Sequence, residues 1–230
     1  MADTSSPSKL SIPRLILIPA IITLAVTFLR LTGEMLHWSS ILFSRAEGGG
    51  AAIVGITWLP FIFGPYFAFK LWDKGHIPSS PGKTIGYAIL GFALLAAGAI
   101  IGFAPVVSFP GRLALGLVLM VAAGALQFVP WRALATTLIA YAYTARVPVA
   151  IVMFFAMRGS WGTHYDAVPP DTAQLAFWPK YLELAIAPQL VMWIAYTMTI
   201  GALFGAIYVA IVRRKKLVAA APGSQQAAGA

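Results

Sequence analysis

The sequence predicts an all-α fold, a polytopic membrane helix bundle of six transmembrane helices with both termini in the cytoplasm. Three observations carry that expectation. The chain is 60% hydrophobic and only 10% charged, whereas a soluble domain keeps its surface wet with about 25% charged residues. Its apolar residues gather into runs long enough for a bilayer crossing, which takes roughly 20 residues of helix. Its basic residues cluster between those runs, on one side more than the other.

The elements follow in order. Residues 1–11, rich in Ser, lack any apolar pattern and read as a disordered cytoplasmic tail. The spans are expected over about 13–36, 51–72, 84–105, 112–130, 133–157 and 179–212, the fourth only just long enough. Together they make residues 12–216 a six-helix transmembrane domain in a chain of 230, and residues 217–230, rich in Ala, Gly and Gln, form a second disordered cytoplasmic tail. Lys9 and Arg14 ahead of the first run resemble the start of a secretory signal, but no small-residue cleavage site follows, so the span is expected to stay attached. Membrane strands are excluded because segments such as Leu94 to Ile101 show no apolar-polar alternation. Pro19, Pro60, Pro65, Pro148 and Pro188 stand inside apolar runs and are expected to kink helices rather than end them.

Orientation rests on Lys and Arg. With the N-terminus inside, the cytoplasmic segments hold ten: Lys9, Arg14, Lys70, Lys74, Lys83, Arg132, Arg213, Arg214, Lys215 and Lys216. The opposite connections hold four, Arg45, Arg112, Arg158 and Lys180. That excess is the usual cytoplasmic signature, and it accounts for the net charge of +9 without nucleic acid as a partner.

Cysteine is absent, which excludes disulfides, thiolate metal sites and cysteine nucleophiles. There is no phosphate-binding glycine loop, no paired-His helix motif and no Gly-x-Ser-x-Gly elbow. His37 and His164 fall at one edge of the bundle and His76 at the other, which does not suit haem. No cofactor and no metal site are expected, since the spacing of His164 and Asp166, with His37 on the same side, is no zinc signature.

Ionisable groups inside spans are costly, so each is a functional candidate. Arg146 falls near mid-membrane, where it either meets an anionic group with its fork of donors or serves a structural ion pair or the carbonyl freed by Pro148. Arg30 and Glu34, four apart, share a helix face that His37 continues. In the last span Glu183 precedes Pro188, and Gln189 follows. Glu34 and Glu183 are expected to approach from facing helices, with Arg30 as counter-charge. The alternative places Arg30, Glu34 and His37 in the headgroup region, snorkelling to water. The connection from Arg158 to Lys180 carries His164, Asp166, Trp161, Tyr165 and Trp178, and reads as an aromatic lid at the membrane surface.

Gly98 with Gly102, and Gly201 with Gly205, put paired glycines on one helix face and let a second backbone come close. They serve packing within one bundle, or a homo-oligomer or membrane-protein partner; the lipid bilayer is the other partner. The leading functional expectation is an accessory, scaffold or self-associating membrane protein. The alternatives are a small-solute or anion transporter using Arg146 with Glu34 and Glu183, and a membrane enzyme working at the outer face through His164, Asp166, Glu34 and Glu183.

Overall fold

The computed structural model describes residues 10–170 and 172–212. The predicted tails therefore lie outside the described residues, save Leu10 and Ser11, as do Lys9 and the basic cluster Arg213 to Lys216. Within them the chain has six helical rods and no strand. They are α1 (Ile12–Met35), α2 (Leu59–Asp73), α3 (Pro81–Phe103), α4 (Arg112–Ala125, extended by a 3-10 turn Leu126–Phe128), α5 (Arg132–Gly159) and α6 (Phe177–Val212).

Four of these, α1, α3, α5 and α6, are long and apolar enough to cross a membrane. Large apolar side chains point outward along the helices, with Ile18 63%, Ile62 60% and Val118 63% exposed. In water such a surface would drive aggregation; against lipid it is the required one.

The second predicted span is corrected. Residues 51–58 form turns, and α2 has 15 residues, about 22 Å at helical rise. Two local features cause this. Gly48, Gly49, Gly50 and Ala51 all hold positive φ, which no helix continues. Pro60 stands in the first turn of α2, where its missing N–H costs nothing, so it begins a helix instead of kinking one. Pro19, Pro65 and Pro148 do stand inside helices.

At Pro188 the missing N–H interrupts the regular ladder of α6. The helix passes it in two wider π turns, Leu182–Ile186 and Pro188–Met192, before resuming as α-helix from Trp193.

Glycines set the spacing between rods. A Cβ on Gly64 of α2 would collide with the Gly201 backbone of α6, and one on Gly98 of α3 would come within 2.6 Å of the Gly116 carbonyl of α4. Gly205 approaches Gly64, and Gly102 approaches Gly116. Both glycine faces seen in the sequence are thus occupied by the chain's own helices. The core against α6 is filled by Phe67, Leu71, Leu134, Leu138, Tyr141 and Met198, all fully buried.

The connections gather at two ends. At one, the Trp131 indole N–H donates to the His76 carbonyl at 2.9 Å and the Ser79 hydroxyl to the Pro130 carbonyl at 3.1 Å. At the other lie residues 36–58, 104–111 and 160–176, where Arg112 donates to the carbonyls of Ala104 and Val107 at 2.8 and 2.7 Å.

Replacing Gly64 by Ala pushes α2 off α6. Thermal unfolding of purified protein in detergent is expected to show a loss of about 1–3 kcal/mol, the usual cost of overpacking. Gly86→Ala on α3, where a Cβ meets nothing within 4 Å, is expected to leave stability unchanged or to raise it by up to about 1 kcal/mol.

Candidate functional site

Glu34 is 1% exposed near the end of α1. An isolated carboxylate there would carry a large desolvation cost, and the chain surrounds it with donors. Its Oε1 accepts from Arg30 Nε at 2.7 Å, one helical turn back. Its Oε2 accepts from the His164 backbone N–H at 2.8 Å, and His164 Nδ1 lies 2.6 and 2.8 Å from the two oxygens. Arg30, 9% exposed, also donates from Nη2 to the carbonyls of Ser44 and Gly49 at 3.2 and 2.9 Å. One ion pair thereby fastens both long connections, 36–58 and 160–176, to α1. Arg30 and Glu34 do not snorkel to water, because both are buried.

The connection 160–176 is shaped to present His164. Asp166 Oδ1 accepts from the Thr163 N–H at 2.8 Å and hydroxyl at 2.6 Å, and its Oδ2 from the Gly162 N–H at 2.8 Å. Gly162 holds φ +71° to let the turn close. Asp166 is therefore a turn residue rather than a partner for His164. Tyr165 turns inward, 3% exposed, and its hydroxyl donates to the Thr27 carbonyl at 3.4 Å; burial pushes its phenol up from the ordinary value. Trp161 and Trp178 are exposed, as an interfacial aromatic belt requires, so the aromatic lid is divided between two roles.

Glu34 and Glu183 do not meet. Glu34 is fully engaged elsewhere, and Glu183, half-buried in the first π turn of α6, makes no hydrogen bond or ion pair with any described residue. His37 is also removed from the site. α1 ends at Met35, His37 takes φ +56°, and its ring lies exposed with Nδ1 2.9 Å from the Met35 carbonyl.

Arg146 on α5 is 4% exposed. Neither sequence-based structural explanation is seen: among the described residues it has no carboxylate partner and no bond to a backbone carbonyl. Nη1 donates to Gln189 Oε1 at 3.3 Å, and the guanidinium carbon sits 4.5 Å from the centre of the Trp193 ring. A neutral acceptor and an aromatic face together contribute about 2–4 kcal/mol. That leaves most of the guanidinium's donors unserved, and none of them is sealed away from space.

The space they face is a cavity of about 360 Å³, within the range of small-molecule sites. α1 contributes Val26, Thr27 and Arg30; α5 contributes Arg146, Val149, Met153 and Met157; α6 contributes Glu183, Gln189, Met192 and Trp193. Ala99 and Phe103 of α3 close one side, and residues Glu47 to Thr57 with His164 and Tyr165 form the roof. The cavity thus brings together Arg30, Arg146, Glu183, Gln189 and His164 from the sequence candidates. Trp193, Tyr165 and the roof segment were not singled out as site residues by sequence reasoning. Tyr165 read as interfacial, and nothing in the sequence marks Trp193 as facing Arg146.

Comparison with known proteins gives no match: no family model, no curated protein and no solved structure is similar to this chain.

Removing the hub charge by Glu34→Gln leaves Arg30 buried without a counter-charge. Thermal unfolding is expected to show a loss of about 3–5 kcal/mol, with faster proteolysis in residues 36–58 and 160–176.

Burial holds the His164 imidazole below its ordinary value of 6.5, and Arg30 acts in the same sense while Glu34 opposes. Burial prevails because Arg30 already neutralises Glu34. The unfolded chain therefore takes up a proton at His164 before the folded one does. Stability is expected to be full above about pH 6.5 and to decline on acidification until the folded value is passed. Melting curves at decreasing pH check this, and His164→Asn, which keeps a donor near Glu34, should flatten the decline.

Proposed function

We propose that this chain is a six-pass membrane carrier that holds a small organic anion on Arg146, inside the cavity between α1, α3, α5 and α6. One observation carries the reading. Arg146 is a buried guanidinium with a single side-chain hydrogen bond, no counter-charge, and a cavity in front of its remaining donors. A cation left so incompletely matched in low dielectric costs several kcal/mol, and a bound anion removes that cost. Arginine's planar fork suits a carboxylate or phosphate.

Two further features support it. The helix opposite Arg146 passes through π turns, which recur at functional sites. The glycine faces that favoured a scaffold lie inside the bundle and offer no surface to a partner. An outer-face enzyme is less well supported, because Asp166 is taken up by its own turn.

In this proposal all six helices cross the bilayer. α2 and α4 are short, but their glycines pack against α6 and α3, which are long enough to cross. The end that carries Lys70, Lys74, Lys83 and Arg132 faces the cytoplasm. The cavity lies toward the opposite end, beneath the connections 36–58 and 160–176.

The test is uptake into proteoliposomes of labelled 4-methylpentanoate and 3-phenylpropanoate, which combine an acid with an apolar body as the cavity does. Arg146→Gln should fold, because it removes an unpaired charge, and should reduce uptake at least tenfold, a difference of about 1.4 kcal/mol. Arg146→Lys should retain a minor part. Uptake by Arg146→Gln at the wild-type rate would refute the reading.

A further inference from the structure

We infer that the cavity takes a zwitterion, a molecule with an ammonium group a short distance from its carboxylate or phosphate, and that Glu183 holds the ammonium. The inference rests on the anion site at Arg146 and adds a second pole to it.

Four charged side chains reach the cavity wall or roof. Arg30 is already neutralised by Glu34 at 2.7 Å. Glu47 is exposed on the roof segment, where water serves it. That leaves Arg146 and Glu183, one cationic and one anionic, lining the same cavity. Neither has a charged partner among the described residues, and they are more than 4.0 Å apart, so they do not neutralise each other.

Among the described residues Glu183 caps no helix, bonds no loop and pairs with no cation. A carboxylate in a span without a structural task is a functional group by default.

The spacing fits a small zwitterion. Arg146 bonds Gln189, and Glu183 lies six residues earlier on the same helix, at most about 9 Å along the axis at α-helical rise. An acid on Arg146, an ammonium on Glu183 and one or two atoms between them bridge a gap of that order. Between the poles the walls are apolar, through Val149, Met153, Phe103 and Met192, which accommodates a carbon body. An anion without an ammonium would leave Glu183 facing it as a like charge. A zwitterion neutralises both poles together. The shared chemistry belongs to free α-amino acids and to the phosphoethanolamine headgroup of a lipid.

The experiment measures binding to purified protein, by thermal stabilisation and calorimetry, with three matched pairs differing only in the amino group. They are leucine and 4-methylpentanoate, phenylalanine and 3-phenylpropanoate, and phosphoethanolamine and ethyl phosphate. Wild-type protein is expected to bind the zwitterion of at least one pair tenfold or more tightly than its partner. Preference in the first two pairs identifies a free amino acid; preference in the third alone, with greater stability in phosphatidylethanolamine than in phosphatidylglycerol nanodiscs, identifies a headgroup.

Glu183→Gln is expected to abolish the preference while binding the plain anions at least as tightly as the wild type, since a like charge is removed, and Arg146→Gln to weaken both members of each pair. Unliganded melting temperatures of both variants should equal or exceed the wild type, since each removes an unpaired charge. Three results overturn the inference: equal binding within every pair, no binding of any member, or a preference that survives Glu183→Gln. Equal binding that still depends on Arg146 leaves the anion site standing, whereas binding untouched by Arg146→Gln removes both.

Discussion

A charge placed among apolar helices has to be satisfied from within the chain, and Glu34 does this for one whole end of the molecule. Its two oxygens receive Arg30 and the backbone and ring of His164. Through Arg30's other donors the same carboxylate anchors the carbonyls of Ser44 and Gly49. The two long connections have few apolar anchors of their own, although Phe43, Ala52 and Tyr165 are buried. Their shared dependence on one ion pair makes the roof of the cavity a single unit with α1. Removing a member of such a cluster is costly because the survivors stay buried.

The glycine contacts set the frame under that roof. Gly64 against Gly201, and Gly98 against Gly116, bring α2 onto α6 and α3 onto α4 at backbone contact. With no hydrophobic effect to hold helices together in lipid, close van der Waals packing of this kind does much of the work. α1 and α5 are joined differently, by side chains such as Thr23 and Tyr141, whose hydroxyls lie 2.7 Å apart. The cavity lies among α1, α3, α5 and α6, beneath the connections.

Apolar run length made the helices legible in the sequence. α1, α3, α4 and α5 begin and end, and α6 begins, within a few residues of the expected positions, since a run of twenty apolar residues has few other solutions. The exception, α2, shows the limit of that signal. Residues 51–58 are apolar enough to extend a span, but the backbone of Gly48 to Ala51 has already turned, and hydropathy does not register backbone conformation. Residue type and depth drew attention to Arg30, Glu34, Arg146, Glu183 and Gln189, and all of these but Glu34 line the cavity. Type and depth were not sufficient to pair them. The preference of Glu34 for His164 over Glu183 depends on a turn built by Asp166 and Gly162, a tertiary outcome with no periodic signature. His37 was misplaced by extending the α1 face past Met35, where the helix stops.

The two buried arginines differ in how completely the chain matches them. Arg30 has a carboxylate at 2.7 Å and two backbone carbonyls, a complete set that holds the roof and asks nothing of a ligand. Arg146 is buried more deeply and yet has one amide oxygen at 3.3 Å and an indole face. If stability alone governed these positions, the order would be reversed, because the deeper charge costs more to leave unmatched. The helix facing Arg146 has a carboxylate in reach of the same cavity and still does not pair with it. Pro188 accounts for part of this geometry: by breaking the ladder it produces the π turns that carry Glu183 and Gln189. Gln189 meets the guanidinium, and Glu183 stays apart. A fold that holds opposite charges near one cavity without letting them join gives up their mutual attraction, and a ligand that bridges them recovers it.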